Sequence, residues 1–173
     1  MRTSLVLTVI GDDKPGIVEK LADQVLAAGA NWEESRMARL AGKFAGLLHV
    51  DVDRDRAEAL VAALRALEAG GLTVVVEQTG AAPAGAARSL RLELVGNDRP
   101  GIVRDISRVL AYHGVNIEEL DTGIVHAPMT GEPLFRATAN LKVPASVAID
   151  AVRRELEALA GELMVDLAIE DRS

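Results

Sequence analysis

The 173-residue chain carries 19 Lys and Arg against 26 Asp and Glu, a formal net charge of -7 at pH 7. That balance argues against a nucleic-acid surface, which needs clustered cations, and the few aromatic residues, Trp32, Phe44, Tyr112 and Phe135, offer little for stacking bases. The absence of cysteine excludes a disulfide framework and a thiolate site, and no apolar run approaches the ~20 residues that a helix needs to cross a bilayer.

Leu5 to Ile10 is a β-branched and Leu-rich run ended by Gly11, short enough to be a strand and apolar on both sides, so a central strand covered on both faces is expected. Asp12 and Asp13 interrupt this run, nothing near Met1 reads as a signal peptide, and a soluble, cytoplasmic protein is expected. After Pro15-Gly16, residues Ile17, Val18, Leu21, Val25 and Ala28 recur at helical spacing, and Gly29 supplies the left-handed stop. Asn31 to Leu40 mixes charges with small and apolar residues and suits a strand with one wet face; Ala41-Gly42 is then a hairpin turn. In the third strand Phe44, Leu48, Val50 and Val52 share one face, and Ala45, Leu47, His49 and Asp51 the other. A helix over Arg54–Glu68 and a strand over Leu72–Val76, separated by Gly70-Gly71, complete a βαββαβ order.

Everything then repeats. Gly11-Asp12-Asp13-Lys14-Pro15-Gly16-Ile17-Val18 recurs as Gly96-Asn97-Asp98-Arg99-Pro100-Gly101-Ile102-Val103, and Gly29-Ala30-Asn31-Trp32-Glu33-Glu34 as Gly114-Val115-Asn116-Ile117-Glu118-Glu119. The chain is a tandem duplication, read as domains over residues 1–78 and 89–173 joined by a flexible Gly-, Ala- and Pro-rich linker over 79–88. The second hairpin is longer, with its extra residues within His126–Pro133, rich in turn formers. A βαββαβ unit with both helices on one face of an antiparallel sheet gives the fold class: α+β, two ferredoxin-like domains. Val6, Ile10, Ala45 and Leu47 place apolar area on the face of the first sheet away from its helices, which is expected to be covered by protein.

The duplicated strand-to-helix turn is the candidate site. The first N–H groups of a helix lack internal partners and carry the positive end of its dipole, so they attract carboxylate or phosphate. Gly16 and Gly101 permit close approach, Asp13 and Asp98 can accept an ammonium group, and Asn31 and Asn116 can donate or accept. A free amino acid carries both charges and matches such a turn; equally, Asp13 and Asp98 can serve only as helix caps and the glycines only as packing positions. No catalytic set emerges. The serines include no Gly-x-Ser-x-Gly, His49, His113 and His126 have no metal-ligand spacing, and the Gly-rich turns match neither nucleotide-binding fingerprint. Of each pair Glu33-Glu34 and Glu118-Glu119, one member is expected to be solvated because strand neighbours point to opposite faces.

The Asp-Lys/Arg-Pro-Gly-Ile-Val turn followed by Gly-x-Asn-Ile/Trp-Glu-Glu resembles the ACT domain family in both halves. Within it, the run from Ala127 to Phe135 is similar to the hairpin of the glycine cleavage system transcriptional repressor group, tandem ACT proteins without an attached enzyme. The resemblance implies a non-catalytic, amino-acid-sensing protein without cofactor or metal, binding a small effector between paired domains. It also implies contact with a DNA-binding regulator protein rather than with DNA, no membrane partner, and possible homodimers. Carried over residue by residue, the ligand positions are Asp13, Pro15, Gly16, Ile17 and Asn31, then Asp98, Pro100, Gly101, Ile102 and Asn116. Trp32 departs from the aliphatic residue usual there, so the second pocket is the preferred one. Two other readings stand beside this one: a regulatory subunit of an amino-acid or folate-pathway enzyme, and a ligand-free interaction module.

Overall fold

Alternation shapes the first element. Along Arg2–Asp12 (β1) the odd-numbered Thr3, Leu5, Leu7, Val9 and Gly11 are buried, while Ile10 and Thr8 are exposed and Val6 is half-buried. The structure, a computed structural model, describes residues 1–80 and 86–171. The chain divides into two units, Met1–Pro83 and Ala84–Ser173. In the first, β1 is followed by α1 (Ile17–Ala27), β2 (Asn31–Leu40), β3 (Lys43–Asp53), α2 (Arg54–Ala66), a short 3-10 turn (Leu67–Gly70) and β4 (Leu72–Thr79). The antiparallel sheet has the order β2-β3-β1-β4, which places β1 centrally as expected. Its inner face meets Leu21 and Val25 of α1 and Leu60 and Leu64 of α2 in one core with Leu7, Val9, Leu48, Val50 and Val52. Val18, expected on the apolar stripe of α1, is 46% exposed.

The second unit repeats the plan with β5 (Ala87–Asn97), α3 (Ile102–Tyr112), β6 (Asn116–His126), β7 (Pro133–Pro144), α4 (Ile149–Leu163) and β8 (Val165–Asp171), in the order β6-β7-β5-β8. Leu92, Leu94, Leu141 and Val143 of its sheet pack on Ile106, Leu110, Val152 and Leu156 of its helices. Both units are therefore ferredoxin-like, α+β. Of the expected linker over 79–88, Thr79 ends β4 and Ala87 and Arg88 open β5, while residues 81–85 lie outside the described residues.

The glycine stops work by one mechanism in both copies. At Gly29 (φ 63°) its own N–H donates to the Leu26 carbonyl and the Ala30 N–H to that of Val25; at Gly114 (φ 68°) the corresponding acceptors are Ala111 and Leu110. This double bond pattern satisfies two of the carbonyls left free at a helix end. Ala41 (φ 49°) and Gly42 (φ 79°) are both left-handed, so the first hairpin closes with a two-residue turn whose twist suits the strands. In the second hairpin His126 pairs with Pro133, so the ends of the expected loop belong to the ladder and only 127–132 project.

Within its unit β1 is covered on one face only, because Ile10, Leu47 and Val75 on the other face are each about half exposed (46%, 52% and 51%), so the unit itself does not supply the protein cover expected there. Sequence alternation shows an apolar outer face but says nothing of what lies against it. The same face of the second sheet carries Arg91, Glu93, Arg136, Thr138 and Asn140. The duplicated sheets thus share an inner core and differ in what they show to solvent.

Adjacent residues on β3 test the face assignment. Leu48→Ala, fully buried, is expected to cost about 2–5 kcal/mol in urea unfolding, whereas Leu47→Ala is expected to cost less than about 1 kcal/mol. Equal losses would contradict the inward and outward faces described.

Candidate functional site

Each strand-to-helix turn is closed by a left-handed glycine. Gly16 (φ 90°) and Gly101 (φ 97°) are the residues immediately before α1 and α3, and no side chain caps either helix. A Cβ at either position would meet nothing closer than 3.7 Å, so it is the backbone conformation, rather than crowding, that calls for glycine there. The capping reading of Asp13 is therefore overturned. Its carboxylate pairs with Arg39 Nε at 2.6 Å, and its N–H donates to the Gly42 carbonyl at 3.0 Å. Asp12 accepts from Lys43 Nζ at 2.5 Å. Both acids thus tie the turn to the β2–β3 hairpin.

The Lys43 hydrogen bond, strengthened by its charge and, less, by that of Lys14, holds the Asp12 carboxyl below its ordinary pKa of 3.8. In the second unit Ile124 and Leu134 pair with Phe135 and Asn97 at the equivalent hairpin end, with no cation to repeat these pairs. Asp98 makes no ion pair among the described residues and is exposed. Both first helical turns carry an acid, Glu19 in α1 and Asp105 in α3, the latter bound to Arg104 at 2.8 Å.

The asparagines are placed elsewhere. Asn31 pairs with Asp51, which pairs with Ser4, whereas the turn begins at Asp12 eight residues further along β1, about 26 Å away. Asn31 donates to Glu33 Oε1 at 2.6 Å. Asn116 sits likewise opposite Lys142 and Ser89, at the far end of its sheet from Asn97. Within one unit, then, Asp13, Pro15, Gly16 and Ile17 form one group and Asn31 belongs to the opposite end, and the same holds for Asp98, Pro100, Gly101 and Ile102 against Asn116. Trp32 lies beside Asn31, donating to Ser35 Oγ at 3.2 Å, and does not obstruct the turn. A register shift after it, repeated after Ile117, marks a bulge that leaves both glutamates of each pair exposed, so the expectation of one solvated member is corrected.

A cleft of about 390 Å³ opens beside the first turn. Pro15, Ile17, Leu67 and Leu72 form apolar walls, Asp12, Lys14 and Lys20 supply charge, and Gly70-Gly71 leave one side without side chains. Its size is that of a small-molecule site, apolar with a few convergent polar groups. Only Pro15 and Ile17 of the expected ligand residues line it. Lys14, Lys20 and Gly70-Gly71 were missed, although the contrast of Lys20 with Asp105 in the repeat was a readable signal. Among the described residues no group of three or more His, Asp or Glu is placed to hold a metal ion, and no helix is long and apolar enough to cross a membrane.

The sequence profile of the ACT domain family matches residues 3–77 and 89–170. The chain is 26% identical over 161 residues to the glycine cleavage system transcriptional repressor of Escherichia coli strain K12, covering 92% of this chain and 85% of that protein. A crystal structure of an unknown protein from Galdieria sulphuraria, 30% identical, superposes over the full length of both chains with a TM-score of 0.89. That of a candidate glycine cleavage system transcriptional repressor, 19% identical, covers 99% of this chain and 98% of its own with a TM-score of 0.71, sharing the fold.

The turn makes two checkable demands. Gly101→Val is expected to lower stability by about 1–2 kcal/mol and Gly101→Asn by less, read by thermal unfolding, because Asn tolerates the left-handed region. A Val variant as stable as the parent would deny that backbone conformation. The carboxyl resonance of Asp12 is expected to titrate below 3.8 and to move up in Lys43→Met. Since the folded pKa is the lower one, the stability this pair contributes is present above 3.8 and fades as the pH falls through the depressed value. An unchanged Asp12 titration in Lys43→Met would remove the pair from the turn.

Proposed function

The chain belongs to the ACT domain family, and on that premise we propose that it is a non-catalytic regulatory protein that binds an amino acid and controls a DNA-binding regulator by protein contact. The observation that carries the reading is the cleft beside the first strand-to-helix turn, a small apolar cavity bearing both signs of charge, as a zwitterion requires. Similarity over most of its length to a glycine cleavage system transcriptional repressor supports a place in the control of glycine cleavage or related amino-acid metabolism. The net charge of -7 supports action through a protein partner in the cytoplasm rather than through DNA. On this reading the effector enters beside α1, where Lys14 and Lys20 attract a carboxylate and Asp12 an ammonium group. At the second turn, preferred from sequence alone, Arg104 and Asp105 stand where the first has Glu19 and Lys20.

Calorimetric titration of the full chain across the common amino acids is expected to show saturable heat for at least one of them; a silent panel would overturn the sensing role. In a mobility-shift assay at moderate salt, the protein alone is expected to leave duplex DNA unshifted. A sequence-specific shift would overturn the indirect mode of control.

A further inference from the structure

The outer face of the first sheet has the anatomy of an interface. Ala38, Ala45 and Ile10 share one row across its strands, and Leu47, Thr8 and Val75 share the next. Ile10, Leu47 and Val75 are each about half exposed, and half-buried Val6 extends this centre by one more row. Charge is confined to the margin. Arg36 and Glu34, 3.2 Å apart, lie on the edge strand β2 and Glu77 on the edge strand β4, while the Asp12–Lys43 and Arg2–Asp51 pairs close the two ends. An uncharged centre within a charged rim is how protein interfaces are arranged.

The fold does not require that centre. In the second sheet, which has the same order of strands, Arg136 and Asp166 stand in the first of these rows, and Asp121, Thr138 and Glu93 in the second. One backbone plan carries either chemistry, so the apolar version is a property of the surface and not of the core. Contiguous apolar surface of this kind marks a contact site.

Its size and chemistry indicate what lies against it. Four strands wide, and running from Ser4 to Asp12 along β1, the face measures roughly 19 by 26 Å, or about 500 Å², from ordinary strand spacing and rise. Two such faces together remove about 1,000 Å² from water, the least that a specific interface needs. A two-fold interface sets the same patch on both sides and must complement itself, which an uncharged centre does. A surface as charged as the outer face of the second sheet would instead lose the hydration of Arg136, Asp166 and Glu93. The matching surface is therefore the same face of another copy.

We propose that the outer face of the first sheet is the interface of a homodimer, in which two copies pack sheet against sheet about a two-fold axis, and that the second sheet takes no part in it. Side chains of Ile10, Leu47 and Val75 interdigitate across the two-fold, as in aligned sheet packing.

Light scattering on the full chain is expected to give about twice the 18.3 kDa chain mass at concentrations of about 10 µM and above. Val6→Arg with Ala45→Arg places in the first sheet the residues that the second carries as Arg91 and Arg136, and is expected to yield a monomer that still unfolds cooperatively. Leu47→Lys, at a solvent-facing position, is expected to weaken the dimer about tenfold or more, and Thr138→Lys in the second sheet to leave it unchanged. Because the chain has no cysteine, a spin label attached singly at Thr8→Cys reads the packing in the otherwise unaltered protein, with label pairs expected within about 30 Å. A parent that stays monomeric at about 100 µM would overturn the proposal, whether the face is bare or covered by something else. A dimer that persists in both folded variants, that is lost equally with Thr138→Lys, or whose labels lie farther apart would move the interface off this face.

Discussion

A strand that hands over to a helix lying back across the same sheet must reverse direction within a few residues, and the left-handed backbone at Gly16 and Gly101 makes that reversal. From it follow the position of the first helical turn, the burial of Leu21 and Val25 or of Ile106 and Leu110, and the exposure of the turn itself at one end of the sheet. Because glycine occupies the position before the helix, no side chain completes the cap, and the first N–H groups stay open to whatever the surroundings supply. In the first unit the first helical turn supplies Glu19 and Lys20; in the second, Arg104 and Asp105 stand at the same two positions.

Much of this was legible because duplication made it so. The order of elements, the glycine stops at Gly29 and Gly114, the Ala41-Gly42 turn and the two faces of β3 all follow from periodicities and backbone preferences that act over a few residues. What escaped depends on neighbours distant in sequence. Asn31 and Gly16 lie in one short stretch, yet β2 runs parallel to β1 with β3 between them, so the asparagine starts at the end from which β1 departs. The far side of the cleft comes from Gly70-Gly71, which read only as a helix stop. The engagement of Asp13 by Arg39 and of Asp12 by Lys43 required knowing how the hairpin tip lies against the turn.

Two copies in one chain are free to specialise in a way that a symmetric pair of identical chains is not. Here the shared parts are those that make the fold: the inner faces of the sheets, the left-handed glycines and the bulges after Trp32 and Ile117. The differing parts face outward. One sheet shows Val6, Ala45 and Leu47 where the other shows Arg91, Arg136 and Thr138. Core packing therefore constrained both units alike, while the solvent-facing positions were left to take separate roles.

The hairpin tips carry that divergence into a practical property. In the first unit Ala41 and Gly42 both need the left-handed region, and residues on either side are already paired, so inserted sequence would unmake the turn and the strand ends with it. In the second, Met129 stands 98% exposed in a segment closed at its base by the Ala127 N–H to Glu132 carbonyl bond and by the His126–Pro133 pair. A peptide tag, a fluorescent label or a protease cut at Met129 would leave every rung of the ladder below it intact. The second domain thus offers a place where the chain can be opened and rejoined without disturbing either core.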